Sequence, residues 1–180
     1  METETPPGSH ILAIYPNNEI KFRDAFEFLK VGLERNEVIM LITEDMKKDA
    51  IRDRMKREFK VDCLDLEARG EILIKSTSEW YFPDSSPDIR RTTQLWNNLA
   101  ENSTKHGKIG VRVFGDVSEF FKRGFIQDLI KYESSLEPRF RIPLTAICAY
   151  DSQHVGTLKA REIRNLIDNH SHSRYFTEIE

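Results

Sequence analysis

The sequence predicts a three-layer, doubly wound α/β domain built on a mainly parallel, five-stranded sheet. Short apolar runs of strand composition alternate with longer stretches whose apolar residues recur every three or four positions, and the alternation repeats five times between His10 and His170. Size agrees: 180 residues with 39% hydrophobic and 10% aromatic content can bury one core without staples, which excludes wholesale disorder.

Residues 1–9 are polar and broken by Pro6, Pro7 and Gly8, so they read as a flexible leader to a domain spanning residues 10–170. The first strand is Ile11 to Tyr15. After the turn at Pro16-Asn17-Asn18, the spacing of Phe22, Phe26, Leu29 and Leu33 makes a helix that ends at Asn36. Val38 to Thr43 is the second strand; Ile51, Met55 and Phe59, four apart in a charged stretch from Lys47 to Lys60, give an amphipathic helix with a solvated outer face. The third strand, Glu71 to Thr77, follows Gly70 and leads into an aromatic loop, Trp80-Tyr81-Phe82-Pro83. Ser86 as a cap and Pro87 at the first helical position open the next helix, lined by Ile89, Thr93, Trp96 and Leu99. Ile109 to Phe114 is the fourth strand, and Phe121, Phe125, Leu129, Tyr132 and Leu136 mark a helix stopping before Pro138. Leu144 to Tyr150 is the fifth strand and 157–170 the last helix, leaving 171–180 as a polar tail in which Tyr175 and Phe176 can dock.

Charge and hydropathy narrow the function classes. Twenty-seven basic residues are dispersed among 30 acidic ones for a net charge of −3, which is no footprint for nucleic acid. The longest apolar run, Val38 to Ile42, is too short to cross a bilayer, and the first residues lack the basic and apolar regions of a signal peptide. A cytoplasmic protein with no membrane partner is expected. Cys63 and Cys148 have no short metal or redox spacing and are expected to be thiols.

Doubly wound sheets bind ligands beyond the carboxyl ends of their strands, here Tyr15 to Asn18, Thr43 to Asp45, Ser76 to Tyr81, Gly115 to Ser118 and Tyr150 to Gln153. Arg112, on a strand buried on both faces, demands an anion: an internal partner such as Glu133 or Glu44, or a bound ligand. Trp80, Tyr81 and Phe82 could wall an apolar pocket or dock on the core. Tyr15 either offers its hydroxyl to a ligand or packs, and Gly115 beside Asp116 lets a backbone approach a ligand closely. His10, at the entry end of its strand, suits a hydrogen bond to the last helix. Cys148 reads as a small buried hydrophobe; a metal site joining it to His10 or His170 requires those segments to converge and ranks behind the structural reading, so no metal or cofactor is expected.

The segments His10-Ile-Leu-Ala-Ile-Tyr15, Gly32-Leu-Glu-Arg-Asn-Glu37, Ile42-Thr-Glu-Asp45, Trp80-Tyr81, Arg112-Val-Phe-Gly-Asp116, Tyr132-Glu133 and Cys148-Ala-Tyr150, in that order, resemble the MEDS domain, the methanogen/methylotroph and DcmR sensory domain. The resemblance spans about residues 9–170 and implies a RecA/KaiC-like fold and a sensor of small hydrocarbon derivatives in prokaryotic signalling. RecA-like enzymes need a glycine-rich phosphate loop after the first strand. With Lys21 on the loop lysine, the two glycines become Tyr15 and Ile20, the magnesium hydroxyl becomes Phe22, and Glu19 would repel the phosphates: a degenerate P-loop. Glu44 and Asp116 fall where such enzymes place catalytic and magnesium-binding acids. The expectation is a stand-alone, non-catalytic sensory domain with a small organic ligand at Tyr15, Glu44, Trp80, Tyr81, Arg112, Asp116 and Tyr150, a polar network of His10, Glu133, Cys148 and His170, and output through a signalling partner or self-association. The alternatives are a RecA-like nucleotide-binding protein or ATPase using Lys21, Glu44 and Asp116, and an interaction scaffold with a filled crevice.

Overall fold

The computed structural model describes residues 5–177, organised around one sheet in which every strand pair is parallel. β1 (His10–Tyr15) runs into α1 (Asn18–Glu34), which stops where Asn36 adopts a left-handed conformation at φ 62°. β2 (Val38–Ile42) leads to α2 (Lys48–Phe59) and a short α3 (Cys63–Ala68), and β3 (Ile72–Lys75) leads to α4 (Thr77–Tyr81) and α5 (Ile89–Lys105). β4 (Val111–Asp116) is followed by α6 (Ser118–Lys122) and α7 (Ile126–Ser135), and β5 (Leu144–Asp151) by α8 (Ser152–Val155), α9 (Ala160–Asp168) and β6 (His172–Tyr175). The strand order is β3-β2-β4-β5-β1-β6.

Period-two alternation divides the core between the two faces. Leu12 and Ile14 of β1, with Ala146, Cys148 and Tyr150 of β5, pack under α4, α5, α6, α7 and α9. Ile11, Ala13 and Tyr15, with Ile147 and Ala149, pack under α1, α2 and α3, where Phe22, Phe26, Phe28 and Leu29 supply most of the aromatic bulk. Among the described residues no helix is long and apolar enough to cross a membrane.

The architecture is the expected three-layer one, with corrections at its margins. The sheet has six strands instead of five, because the expected tail supplies β6, which pairs with β1 from Ile11↔His172 to Ile14↔Tyr175. An edge strand with one neighbour needs no apolar alternation, so its polar sequence concealed it. The expected flexible leader is packed from Thr5 onward: Thr5 and Ser9 are buried, and the Gly8 amide donates to Thr145 Oγ1 at 3.1 Å; residues 1–4 and 178–180 lie outside the described residues. The single helix expected from Phe121 to Leu136 is two, split where Gly124 turns at φ 78°. The aromatic loop is largely helical: Ser76 and Glu79 form a capping box that opens α4 directly after β3. Asp88, not Ser86, caps α5, accepting from the Arg91 amide at 2.9 Å.

Candidate functional site

Two buried polar clusters flank the sheet. The first sits at the strand ends. Asn17 accepts from the Ile20 amide at 3.0 Å and so starts α1, which places Lys21 one turn in, beneath the carboxyl ends of β4 and β5. The fully buried Lys21 Nζ donates to Asp45 Oδ2 (2.9 Å), Asp116 Oδ2 (2.9 Å) and Asp151 Oδ1 (3.2 Å). Asp116 also accepts from Thr43 Oγ1 at 3.2 Å and from the Ser118 amide and hydroxyl at 2.9 and 2.5 Å, while Lys122 reaches Asp45 Oδ1 at 3.0 Å. Burial alone would lower the Lys21 pKa, but the carboxylates, Asp116 foremost, outweigh it and raise it; burial would likewise raise Asp45, and Lys21 and Lys122 pull it below its ordinary value.

The second cluster lies within the opposite layer, between β1, β5, α7 and the end of α9. Its members come from four segments, and alternation explains the first two: His10 shares the face of Leu12, and β5 offers Cys148 and Tyr150 on that same face. Glu133 projects from the buried side of α7, and His170 follows the C-cap of α9. His10 Nε2 lies 3.3 Å from Cys148 Sγ and 3.3 Å from Glu133 Oε2; His170 Nε2 is 3.5 Å from Glu133 Oε2, and Cys148 Sγ is 3.9 Å from it. These four donor atoms all lie within 4.8 Å of one another, and all four residues are buried. Tyr150 Oη donates to the other carboxylate oxygen, Glu133 Oε1, at 2.8 Å. Burial pushes the His170 imidazole down to about 4 and the Cys148 thiol well up, while Glu133, despite burial, is drawn to about 2 where His170 and His10 carry positive charge, with the Tyr150 hydroxyl adding to the effect.

Beside this cluster is an internal cavity of about 10 Å³, lined by His10 and Cys148 together with Tyr81, Trp96, Tyr132, Leu136, Phe140 and Leu144. Four of these side chains, Trp96, Leu136, Phe140 and Leu144, also line a surface groove of about 200 Å³ that includes Thr93, Asn97 and Ile142. A larger depression of about 520 Å³ lies by the opposite, amino ends of β2 and β3; the charged residues lining it, Lys108, Glu71 and Arg69, pair with one another.

The sequence model of the family described as the methanogen/methylotroph, DcmR sensory domain (MEDS) matches residues 9–171. The chain belongs to the MEDS family. Its fold is similar to that of the KaiC-like protein PH0186 from the hyperthermophilic archaeon Pyrococcus horikoshii OT3, with a TM-score of 0.56 at 16% identity; the match covers 82% of this chain and 62% of that one. The likeness extends to the RecA-like arrangement of the sheet and layers, and this chain spans about three fifths of that protein. No curated protein matches the sequence.

Within this MEDS domain the residues expected at a strand-end ligand site do not converge. Tyr15 is core: its hydroxyl donates to Asp24 Oδ2 at 2.5 Å and its ring stacks on Phe176 at 4.7 Å. Glu44 accepts from the Ser78 amide at 2.8 Å and steadies α4. Arg112 is paired with neither Glu133 nor Glu44. It lies near the amino end of β4, away from the strand-end crevice, where its Nε donates to Glu37 Oε2 at 2.5 Å and its guanidinium rests 4.8 Å from the Phe28 ring centroid. Asp116 is engaged by Lys21. Trp80 packs on Trp96 with ring centroids 4.7 Å apart. Gly115 admits a protein group: a Cβ there would stand 2.8 Å from the Tyr81 hydroxyl. Tyr81 and Tyr150 instead belong with the second cluster, and the residues expected as a polar network, His10, Glu133, Cys148 and His170, are brought together. His10 Nδ1 does meet the last helix, 3.0 Å from the Asn169 carbonyl. Sequence reading missed Asp45, Asp151 and Glu37 as partners; each lies one to three residues outside its strand's apolar core, where parity alone could not choose among several acids.

Proposed function

We propose that this MEDS domain is a non-catalytic sensory module that takes up a small organic molecule, a hydrocarbon derivative, in the groove beside Trp96, and passes its occupancy to a signalling partner or a second copy. The observation that carries this is the shared wall. Trp96, Leu136, Phe140 and Leu144 line both the open groove and the internal cavity that ends at His10 and Cys148, so a ligand on the outer side presses on side chains in contact with the buried cluster. At about 200 Å³ the groove suits a molecule of few heavy atoms, below the roughly 300–1,000 Å³ of drug-sized sites.

A KaiC-like fold raises nucleotide binding as the other reading, and the residues present do not fit it. Residues 15–22 contain no glycine, and the three protons of Lys21 are matched by three aspartates, so a phosphate would meet carboxylates where it needs donors.

The test is a thermal-shift screen with short alcohols, amines, carboxylates and halogenated alkanes, alongside ATP with magnesium, on the native chain and on Thr93→Phe, which fills the groove. A ligand at a hundred times its Kd adds about 2.7 kcal/mol, or roughly 5–10 °C for a domain of this size. The shift is expected with small organics and not in Thr93→Phe. A magnesium-dependent shift with ATP alone, or an organic shift indifferent to Thr93→Phe, would refute the proposal.

A further inference from the structure

We infer that His10, Glu133, Cys148 and His170 form a tetrahedral binding site for a divalent transition-metal cation of the zinc class. The inference stands apart from the organic-ligand groove and does not rest on it.

Proton placement is the first argument. His10 Nδ1 faces two backbone carbonyls, Asn169 O at 3.0 Å and Glu137 O at 3.2 Å, and His170 Nδ1 faces Leu166 O at 2.5 Å. Carbonyls only accept, so in each neutral ring Nδ1 carries the hydrogen and Nε2 presents its lone pair. Both Nε2 atoms then point at the same carboxylate oxygen, Glu133 Oε2, at 3.3 and 3.5 Å, and the buried His170 Nε2 has no hydrogen-bond partner. Acceptor facing acceptor in a dry interior is costly unless a cation lies between them.

Spacing is the second. Ligand atoms held about 2.0–2.3 Å from a tetrahedral ion stand about 3.3–3.6 Å from one another. Four of the six edges found here are 3.3, 3.3, 3.5 and 3.9 Å, and the other two, from His170 Nε2 to His10 Nε2 and to Cys148 Sγ, are no longer than 4.8 Å, so the frame closes to tetrahedral size by a contraction on the His170 and sulfur sides.

The surrounding shell is the third. Each imidazole ligand is oriented by a carbonyl on its far nitrogen and the carboxylate by Tyr150 Oη at 2.8 Å, the arrangement that fixes metal ligands in place. Two nitrogens, a thiolate and one oxygen suit zinc over magnesium or calcium. Cys148 loses its thiol proton to solvent as the metal–sulfur bond forms, which leaves thiolate and carboxylate to neutralise the dication. The adjoining cavity of about 10 Å³ lies beside the site, with Phe140 and Leu136 forming the wall it shares with the groove.

The experiment is reconstitution of the reduced full chain with zinc and, as a spectroscopic probe, cobalt(II). One equivalent is expected to bind, with the intense visible bands of tetrahedral cobalt and a near-ultraviolet sulfur-to-cobalt transition. Cys148→Ser should abolish the sulfur band and Cys63→Ser should leave it, and Tyr150→Phe should weaken affinity about 10–100-fold. Should Cys148→Ser fail to fold, zinc-edge X-ray absorption on the native chain must show two imidazoles, one sulfur and one oxygen. A folded native chain that takes up neither metal, or a sulfur band that survives Cys148→Ser, overturns the inference. The organic-ligand screen on metal-stripped protein is read separately, so failure of one proposal is distinguishable from failure of the other.

Discussion

Arg112 and Glu37 are 1% and 4% exposed, joined by Nε to Oε2 at 2.5 Å and by a longer second contact, Nη2 to Oε1 at 3.5 Å. The guanidinium is sealed by Phe28 on one side and Gly32 on the other, where a Cβ would stand 2.7 Å from Arg112 Cδ. No water can replace either partner, so Arg112→Met strands a buried carboxylate and Glu37→Met a buried guanidinium. Each single change is expected to cost about 3–5 kcal/mol, lowering the melting temperature by roughly 6–20 °C for a chain of this size. The double variant removes both charges and refills the space with thioether chains, so it should cost less than either single one. Urea unfolding followed by far-ultraviolet circular dichroism gives all four corners of the cycle. Singles that cost under about 1 kcal/mol, or a double variant that costs their sum, would refute the view that each charge is held only by the other. Because the pair packs against α1, on the opposite face of the sheet from the groove, the organic-ligand shift should persist in the double variant.

Lys21→Met leaves Asp45, Asp116 and Asp151 facing one another without their shared cation. In the native chain Asp45 is depressed, so its contribution is present above the ordinary carboxylate range and is lost as pH falls below that range through the lowered value. In the variant the carboxylates are raised, so the native state binds the extra protons and stability should grow as pH falls from 7 toward 5; melts across that interval check the reversed sign, and equal slopes for the two chains would refute it. Tyr15→Phe removes the 2.5 Å bond to Asp24 and should cost about 1.5 kcal/mol, with the organic-ligand shift intact; loss of that shift in a folded variant would return Tyr15 to the ligand site.

The fold was legible wherever burial is two-sided. The central strands β1, β2, β4 and β5 are apolar on both faces, so composition alone located them, and α1 and α2 announced themselves by the spacing of Phe22, Phe26, Ile51 and Met55. Edges and breaks were not legible. β6 is half exposed and polar, and the interruption at Gly124 depends on one dihedral angle inside an unbroken apolar period. For the site, the residue types were visible and the pairings were not. Arg112 demanded an anion, but the sequence pointed to Glu133 or Glu44 and passed over Glu37, which the fold places just before β2, the neighbour of β4. His10, Cys148 and His170 are scattered over 160 residues, a separation no spacing rule addresses; only β1 lying between β5 and β6 brings them to one point.

The two buried clusters differ in how their donors and acceptors balance, and that difference decides where a ligand belongs. Around Lys21 every proton of the ammonium has a carboxylate, and Asp116 is further held by Thr43 and Ser118. This corner at the carboxyl ends of the strands, where doubly wound sheets take ligands, is therefore closed by the chain's own charges, and opening it would expose three aspartates to one another. Around Glu133 the count runs the other way: two imidazole lone pairs and the carboxylate oxygen Oε2 converge, and with the Tyr150 hydroxyl committed to Oε1 the Cys148 thiol is the proton source beside them. A single thiol proton cannot satisfy three acceptors, so this interior is short of positive charge while the strand ends are not. β5 contributes to both, Asp151 to the first and Cys148 and Tyr150 to the second. A cation entering the second cluster would thus act on the same strand that holds the first one shut.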